Sequence, residues 1–200
     1  MKTERKQSVR KPTRQGIIDA ARSHIYHKGF GATSYANIAQ ETNLRKGNIQ
    51  YHFKSKDELL QAVIDQQITA IRQQLESWSL ECGTTYDCVE RFIAMVDANA
   101  DNLSRYGCPM GTLNSELSKD HREQQLQAKL MFDLYLRWLE ARFSAILPRE
   151  SARARARAEQ LMVMAQGASL MAHVLEDPEI VHRQSAMMLE WLADICAASH

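Results

Sequence analysis

The chain has 200 residues, with 25 basic and 24 acidic side chains, a formal net charge of +1 and 44% apolar residues. That length allows one domain or two small ones, and the apolar fraction excludes wholesale disorder. Only 8 Gly and 4 Pro argue against a turn-rich all-β chain, and the most apolar stretch, Leu161 to Leu175, is too interrupted to supply the ~18–20 apolar residues of a membrane span.

Residues 1–13 are polar and basic and read as a flexible arm, with Thr13 as the N-cap of a first helix. Ile17, Ile18, Ala21 and Ile25 recur at helical steps, and Lys28-Gly29 is a stop signal. Thr33 or Ser34 caps a short second helix with Tyr35, Ile38 and Ala39 inside. Thr42-Asn43 breaks it, and a third short helix runs from about Lys46 to His52. Ser55 and Glu58 form a capping box that opens a long helix carrying Leu59, Leu60, Val63, Ile64, Ile68, Ile71, Leu75 and Trp78.

Beyond Gly83 the pattern stays helical. Val89, Phe92, Ile93, Val96 and Ala100 mark one helix, and Tyr106 to Pro109 reads as a loop. A short helix is expected over about Thr112–Leu117. Next comes a long one with apolar residues on two faces, Leu126, Leu130, Leu134 and Trp138 on one and Phe132, Leu136, Leu139 and Phe143 on the other. Leu161, Met164, Ala165, Ala168, Met171, Ala172 and Leu175 form a stripe, and Val181, Met188, Trp191, Leu192 and Ile195 line the last helix. The expectation is an all-α chain of about nine helices without an internal repeat. Three parts follow from it: the arm at 1–13, a three-helix domain at 14–56 and a helical C-terminal domain at 57–200.

The small net charge conceals an asymmetry. Residues 1–56 hold twelve Lys/Arg against three acids, a net +9, and residues 57–200 hold thirteen against twenty-one, a net −8. A basic head on an acidic body points to an anionic partner for the head. The N-terminus lacks the apolar region of a secretory signal. Cys82, Cys88, Cys108 and Cys196 sit at scattered spacings without metal-ligand patterns, so reduced thiols in a cytoplasm are expected, with no cofactor or metal.

The informative stretch is 34–53, SYANIAQETNLRKGNIQYHF. Two short helices joined by a tight turn read as a helix-turn-helix. Ala39 is small where the helices cross. Asn43 suits a left-handed turn position, and Ile38, Leu44 and Ile49 fill a small core. Arg45, Lys46, Gly47, Asn48 and Gln50 then lie at the exposed N-terminal end of the third helix, the end that enters the major groove in such motifs. Asn and Gln pair with adenine, and Arg and Lys with guanine.

Here the chain resembles the TetR-like transcriptional repressors, over about residues 14–64. The resemblance rests on Gly29-Phe30, Thr33, Ile38-Ala39, Gly47 and Tyr51-His52-Phe53, then Lys54 to Leu60. It departs at Gln50, where the family often has Tyr or Phe, and at Asn43, where Gly is common. The resemblance implies a ligand-responsive repressor that binds double-stranded DNA at a pseudo-palindromic operator. It implies a homodimer paired through helices at about 150–175 and 178–197, and a small-molecule effector bound in the C-terminal domain. It also implies phosphate contacts from Thr33, Tyr51, His52 and Lys56.

Cys108 lies in a loop, RYGCPMG, resembling that of family members whose cysteine senses electrophiles or oxidants; otherwise it is a small apolar filler. Met95, Met110, Met131, Tyr135, Trp138, Met162, Met164 and His173 are candidates for an effector pocket, with plain core as the other reading. Two further classes are weaker. An enzyme using Cys108 with His121 lacks a surrounding catalytic signature, and a scaffold without DNA binding leaves the +9 head without a purpose.

Overall fold

The computed structural model describes residues 14–117, 121–148 and 151–198; the expected arm at 1–13 and the Thr13 cap lie outside them. Among the described residues every regular element is helical, as the periodicity predicts. The first four helices are α1 (Arg14–Lys28), α2 (Tyr35–Thr42), α3 (Lys46–His52) and α4 (Lys56–Glu81). Then come α5 (Thr85–Ala98), α6 (Ala100–Tyr106), α7 (Pro109–Glu116), α8 (Arg122–Ile146), α9 (Ala154–Leu175) and α10 (Glu179–Ala198). A 3-10 turn at Ser151–Arg153 precedes α9.

The chain forms two compact units that divide within α4, between Val63 and Ile64. In the head, Ile17, Ile18, Ala21, Ile38, Ile49, Phe53, Leu59, Ala62 and Val63 pack into one core, with Tyr35, Ala39 and Leu44 half-buried around it. The first two turns of α4 belong to the head because Leu59, Ala62 and Val63 complete that core. Removing apolar surface from water at about 25 cal/mol per Å² is what holds such short helices, which are marginal alone.

Local signals set the helix ends. Ser34 Oγ accepts the Asn37 N–H at 3.2 Å and so caps α2. Glu58 N donates to Ser55 Oγ at 3.1 Å, while the Glu58 carboxylate accepts from Lys54 N at 2.7 Å. The expected capping box is therefore present, reaching back one residue further than usual. Thr84 and Asp87 form the reciprocal version at α5.

In the body, α9 packs against α6, α8 and α10, and α5 packs against α8 and α10. Phe143 and Leu139 on one expected face of α8 are fully buried and Trp138 on the other is buried, but Leu126 of that second face is 49% exposed, so cover on two sides is only partial. Trp78 and Trp138 meet edge to face at 5.7 Å, and Trp138 Nε1 donates to Ser79 Oγ at 2.9 Å. Arg142 hydrogen-bonds the same hydroxyl and stacks over Trp138 at 4.5 Å.

Three local features differ from the sequence expectation. Asn99 interrupts the helix expected to run through Ala100, which makes α6 a separate element and brings the described α-helices to ten. The helix expected from Thr112 begins at Pro109, since Pro is accepted in a first turn. Finally, Met171 and Leu175 of the α9 stripe are half exposed. No described helix is long and apolar enough to cross a membrane.

Candidate nucleic-acid interface

The head positions α3 by its two ends. At the start, Asn43 adopts φ 53°, ψ 34°, and Leu44 N donates to Ala39 O at 2.9 Å, so the chain turns sharply out of α2. A left-handed residue there is tolerated by Asn better than by most side chains. At the far end, Phe53 is fully buried and its carbonyl accepts the Tyr35 hydroxyl at 3.0 Å. Between them Ile49 is fully buried. With one face of α3 anchored in this way, Arg45, Lys46, Gly47, Asn48, Gln50 and Tyr51 are all exposed.

This surface is basic. Arg45, Lys46 and Lys54 are exposed, and Lys54 Nζ lies 5.7 Å from the ring centroid of Tyr51, itself 76% exposed. Tyr51 and His52 meet edge to face at 5.3 Å. A Cβ built on Gly47 meets nothing within 4 Å, so packing within the protein does not demand glycine there.

Thr33 and Lys56 are used internally. Thr33 is 4% exposed, and its hydroxyl donates to Gly29 O at 2.8 Å. The Lys56 ammonium donates to Phe30 O at 2.6 Å and lies 3.9 Å over the Phe30 ring. Both groups brace the turn between α1 and α2, and the exposed members of the expected set are on or beside α3. Sequence reasoning passed over Lys54, whose place beside Tyr51 adds a cation to this face. Arg14, read from the sequence with the basic arm as a candidate DNA contact, lies 4.9 Å over the Phe53 ring.

In the body, part of the expected effector set converges. The Tyr135 hydroxyl donates to Gln74 Oε1 at 3.0 Å and lies 3.8 Å from Met95 Sδ. Gln74 Nε2 lies 3.9 Å from the same sulfur. Burial, and then the nearby Cys108, push the Tyr135 phenol up to about 12, so it remains a neutral donor. Gly111 lies beside Cys108, and a Cβ there would stand 3.2 Å from Gln166 Oε1 and 3.5 Å from Cys108 Cβ. Helices α4, α5, α8 and α9 and the loop before α7 thus contribute Gln74, Met95, Tyr135, Gln166 and Cys108 to neighbouring positions.

Trp138 serves the Trp78–Ser79 contact, and His173 is exposed with Nδ1 3.1 Å from Ser104 O and its ring 3.7 Å from where a Cβ on Gly107, next to Cys108, would stand. Met131 and Met162 are buried, while Met110 and Met164 are half-buried. Gln74 and Gln166 carry no distinguishing signal in the sequence, each being one polar residue among several on its helix. All four cysteines are free thiols. Burial and then the adjacent Cys88 thiol push Cys82 up to about 11, the opposite of an activated nucleophile.

Comparison with known proteins agrees with this geometry. Residues 17–63 match a family model described as bacterial regulatory proteins, tetR family. An uncharacterised helix-turn-helix transcriptional regulator of Lactococcus lactis is 28% identical over 174 residues, covering 84% of this chain and 87% of its own. The regulator TtgR of Pseudomonas putida is 42% identical over 53 residues, 26% of this chain and 25% of its own. A TetR-family regulator from Agrobacterium tumefaciens superposes with a TM-score of 0.73 at 25% identity, over 89% of this chain and 98% of its own.

Proposed function

We propose that this chain, similar to TetR-family regulators, is a DNA-binding transcriptional regulator, a homodimeric, cytoplasmic repressor released from its operator by an effector. The observation that carries the reading is the one-sided anchoring of α3. Ile49 and Phe53 are fully buried while Lys46, Asn48 and Gln50 are exposed. Asn48 and Gln50 read base edges, and Arg45, Lys46, Tyr51, His52 and Lys54 meet bases or phosphates. Thr33 and Lys56 act at the phosphates only through the turn they brace.

The dimer forms through α9 and α10. Val163, Leu170, Met171, Val174 and Leu175 on α9 and Met187 on α10 are large apolar residues left between 49% and 70% exposed. A second copy covering them accounts for a patch that a monomer ordinarily hides. Two heads then present their α3 helices to successive major grooves, about 34–36 Å apart, on a pseudo-palindromic site.

The effector site is the cluster around Tyr135, Gln74, Met95, Gln166 and Cys108. Its groups are uncharged, which suits a neutral polar ligand or an electrophile that reacts with the Cys108 thiol. The effector acts by binding one arrangement of α4 better than another, since differential affinity alone shifts a population. α4 supplies Gln74 to the cluster and Leu59 to the head core. Fluorescence anisotropy with fragments flanking the protein's own gene tests the reading. One fragment must bind far above bulk DNA, and candidate effectors must release it.

A further inference from the structure

A cleft of about 750 Å³ opens on the body away from the Tyr135 cluster, between α5 and α10, and the last residues of α4 close one end. From α5 it is lined by Asp87, Glu90, Arg91, Ala94 and Asp97. Those steps of three and four residues lay them along one helix face. From α10 come His182, Ser185, Ala186 and Leu189, at the same spacing.

The cleft carries excess negative charge. Its acids are Glu81, Asp87, Glu90 and Asp97, against Arg91 and His182. Arg91 pairs with Glu81 at 2.8 Å, and His182 Nδ1 lies 2.8 Å from Asp97 Oδ1. Among the described residues Asp87 accepts only the neutral Thr84 N–H, and Glu90 has no hydrogen bond or ion pair. The carboxyl end of α4 at Glu81 adds the negative pole of a helix.

A second observation is independent of that charge. Ser185 lines the cleft at 3% exposure, and its hydroxyl has no hydrogen-bond partner among the described residues. A serine within a helix ordinarily bonds a carbonyl one turn back. A buried hydroxyl without a partner is unfavourable, and a ligand N–H offered to its oxygen relieves the cost. Apolar Ile93, Ala94, Ala186 and Leu189 fill the space between the charged positions.

The arrangement selects among cations. The acids are strung out along α5, with Asp87 and Asp97 separated by ten residues, about 15 Å of helix. A divalent metal needs its oxygens gathered around one point. None of the lining residues is Trp, Tyr or Phe, so a quaternary ammonium would find no cation–π cage. A chain of ammonium groups joined by methylenes matches both the spaced carboxylates and the apolar intervals. We propose that this α5–α10 cleft binds a linear aliphatic polyamine, with one ammonium between Asp87 and Glu90, one N–H on Ser185 and methylenes on Ala94 and Leu189. Bound there, the polyamine ties α5 to α10.

Calorimetric titration of the full-length protein with spermidine, free of DNA and at constant ionic strength, tests this. Saturable binding of one spermidine per chain is expected, at least about tenfold tighter than magnesium. Ala94→Phe fills the cleft and abolishes binding. Glu90→Gln, an exposed position that folding does not require, weakens it about threefold, the scale of one solvent-facing charge pair. Absent or non-saturable binding overturns the proposal, as does magnesium binding equally well. So does unchanged affinity in a folded Ala94→Phe protein or, if that variant does not fold, in Glu90→Gln. None of these outcomes depends on operator binding or on the Tyr135 cluster.

Discussion

The Tyr35 hydroxyl donates to the carbonyl of Phe53 at 3.0 Å, tying the first residue of α2 to the residue that ends α3 across eighteen positions. Burial, and then Glu58 and Asp57, push the Tyr35 phenol above its ordinary value, so it stays a donor at any physiological pH. Tyr35→Phe is expected to cost about 1 kcal/mol, the net worth of one such bond. Thermal melts read the loss, and DNA affinity falls with it because the exit of α3 is no longer held.

Gly47 separates folding from DNA binding. A Cβ there meets nothing, while glycine inside a helix costs about 0.5–1 kcal/mol relative to alanine. Gly47→Ala is therefore expected to raise the melting temperature and at the same time weaken operator binding, because the added methyl stands where the DNA backbone approaches. Unchanged DNA affinity in this variant would place the groove contact elsewhere.

Base and phosphate contacts on α3 have different signatures. Gln50→Ala is expected to cost about 1–3 kcal/mol on the operator and relax preference at one base pair. Lys46→Ala, if it meets a phosphate, weakens binding evenly across sequences and lowers the salt slope by about 1. Titrations of operator and scrambled DNA at several salt concentrations distinguish the two.

His182 links α10 to Asp97 of α5, and its pKa is raised, first by the Asp97 hydrogen bond and then by the charges of Asp97, Glu179 and Asp101. A raised folded-state value means the stabilisation is complete below the unfolded histidine value of about 6.5 and is lost as pH climbs through the folded one. The wild type is thus expected to exceed His182→Asn in melting temperature near about pH 6, with the gap closing toward about pH 8. The pair is well exposed, so the gap is small.

Tyr135 is the test of the effector cluster. Tyr135→Phe removes the donor to Gln74 Oε1 at a site only 4% exposed. A folded variant that binds operator normally but no longer releases it with effector is the expected outcome. Normal release would move the effector site away from this cluster.

The head was legible in the sequence because its requirements are local. Ile38, Leu44 and Ile49 mark the inner face by spacing alone. Tolerance of left-handed backbone places Asn43 in the turn, and its φ of 53° agrees. Thr33 and Lys56 were harder. Polar residues in a basic segment read as surface groups, yet carbonyls of Gly29 and Phe30 take up their donors. Only the tertiary path of the chain brings Phe30 to Lys56.

In the body the apolar pattern located helices but not what covers them. Met171 and Leu175 sit in a regular stripe with Leu161 and Ala165, yet they are about half exposed while those two are buried. Periodicity counts apolar residues without naming the surface they meet. The break at Asn99 was invisible because no Gly or Pro marks it. Gln74 is one polar residue on a long helix, and its pairing with Tyr135 spans 61 positions.

The most direct measurement is an anisotropy titration of the wild type and an Asn48→Ala/Gln50→Ala double variant. The probes are the protein's own promoter fragment and a scrambled duplex of equal length. The account predicts a wild-type preference of about 10³ or more for the promoter, falling steeply with salt, and a double variant that keeps its melting temperature and scrambled-DNA affinity but loses the preference. Equal wild-type affinity for both duplexes, or a double variant that discriminates as well as wild type, would contradict it.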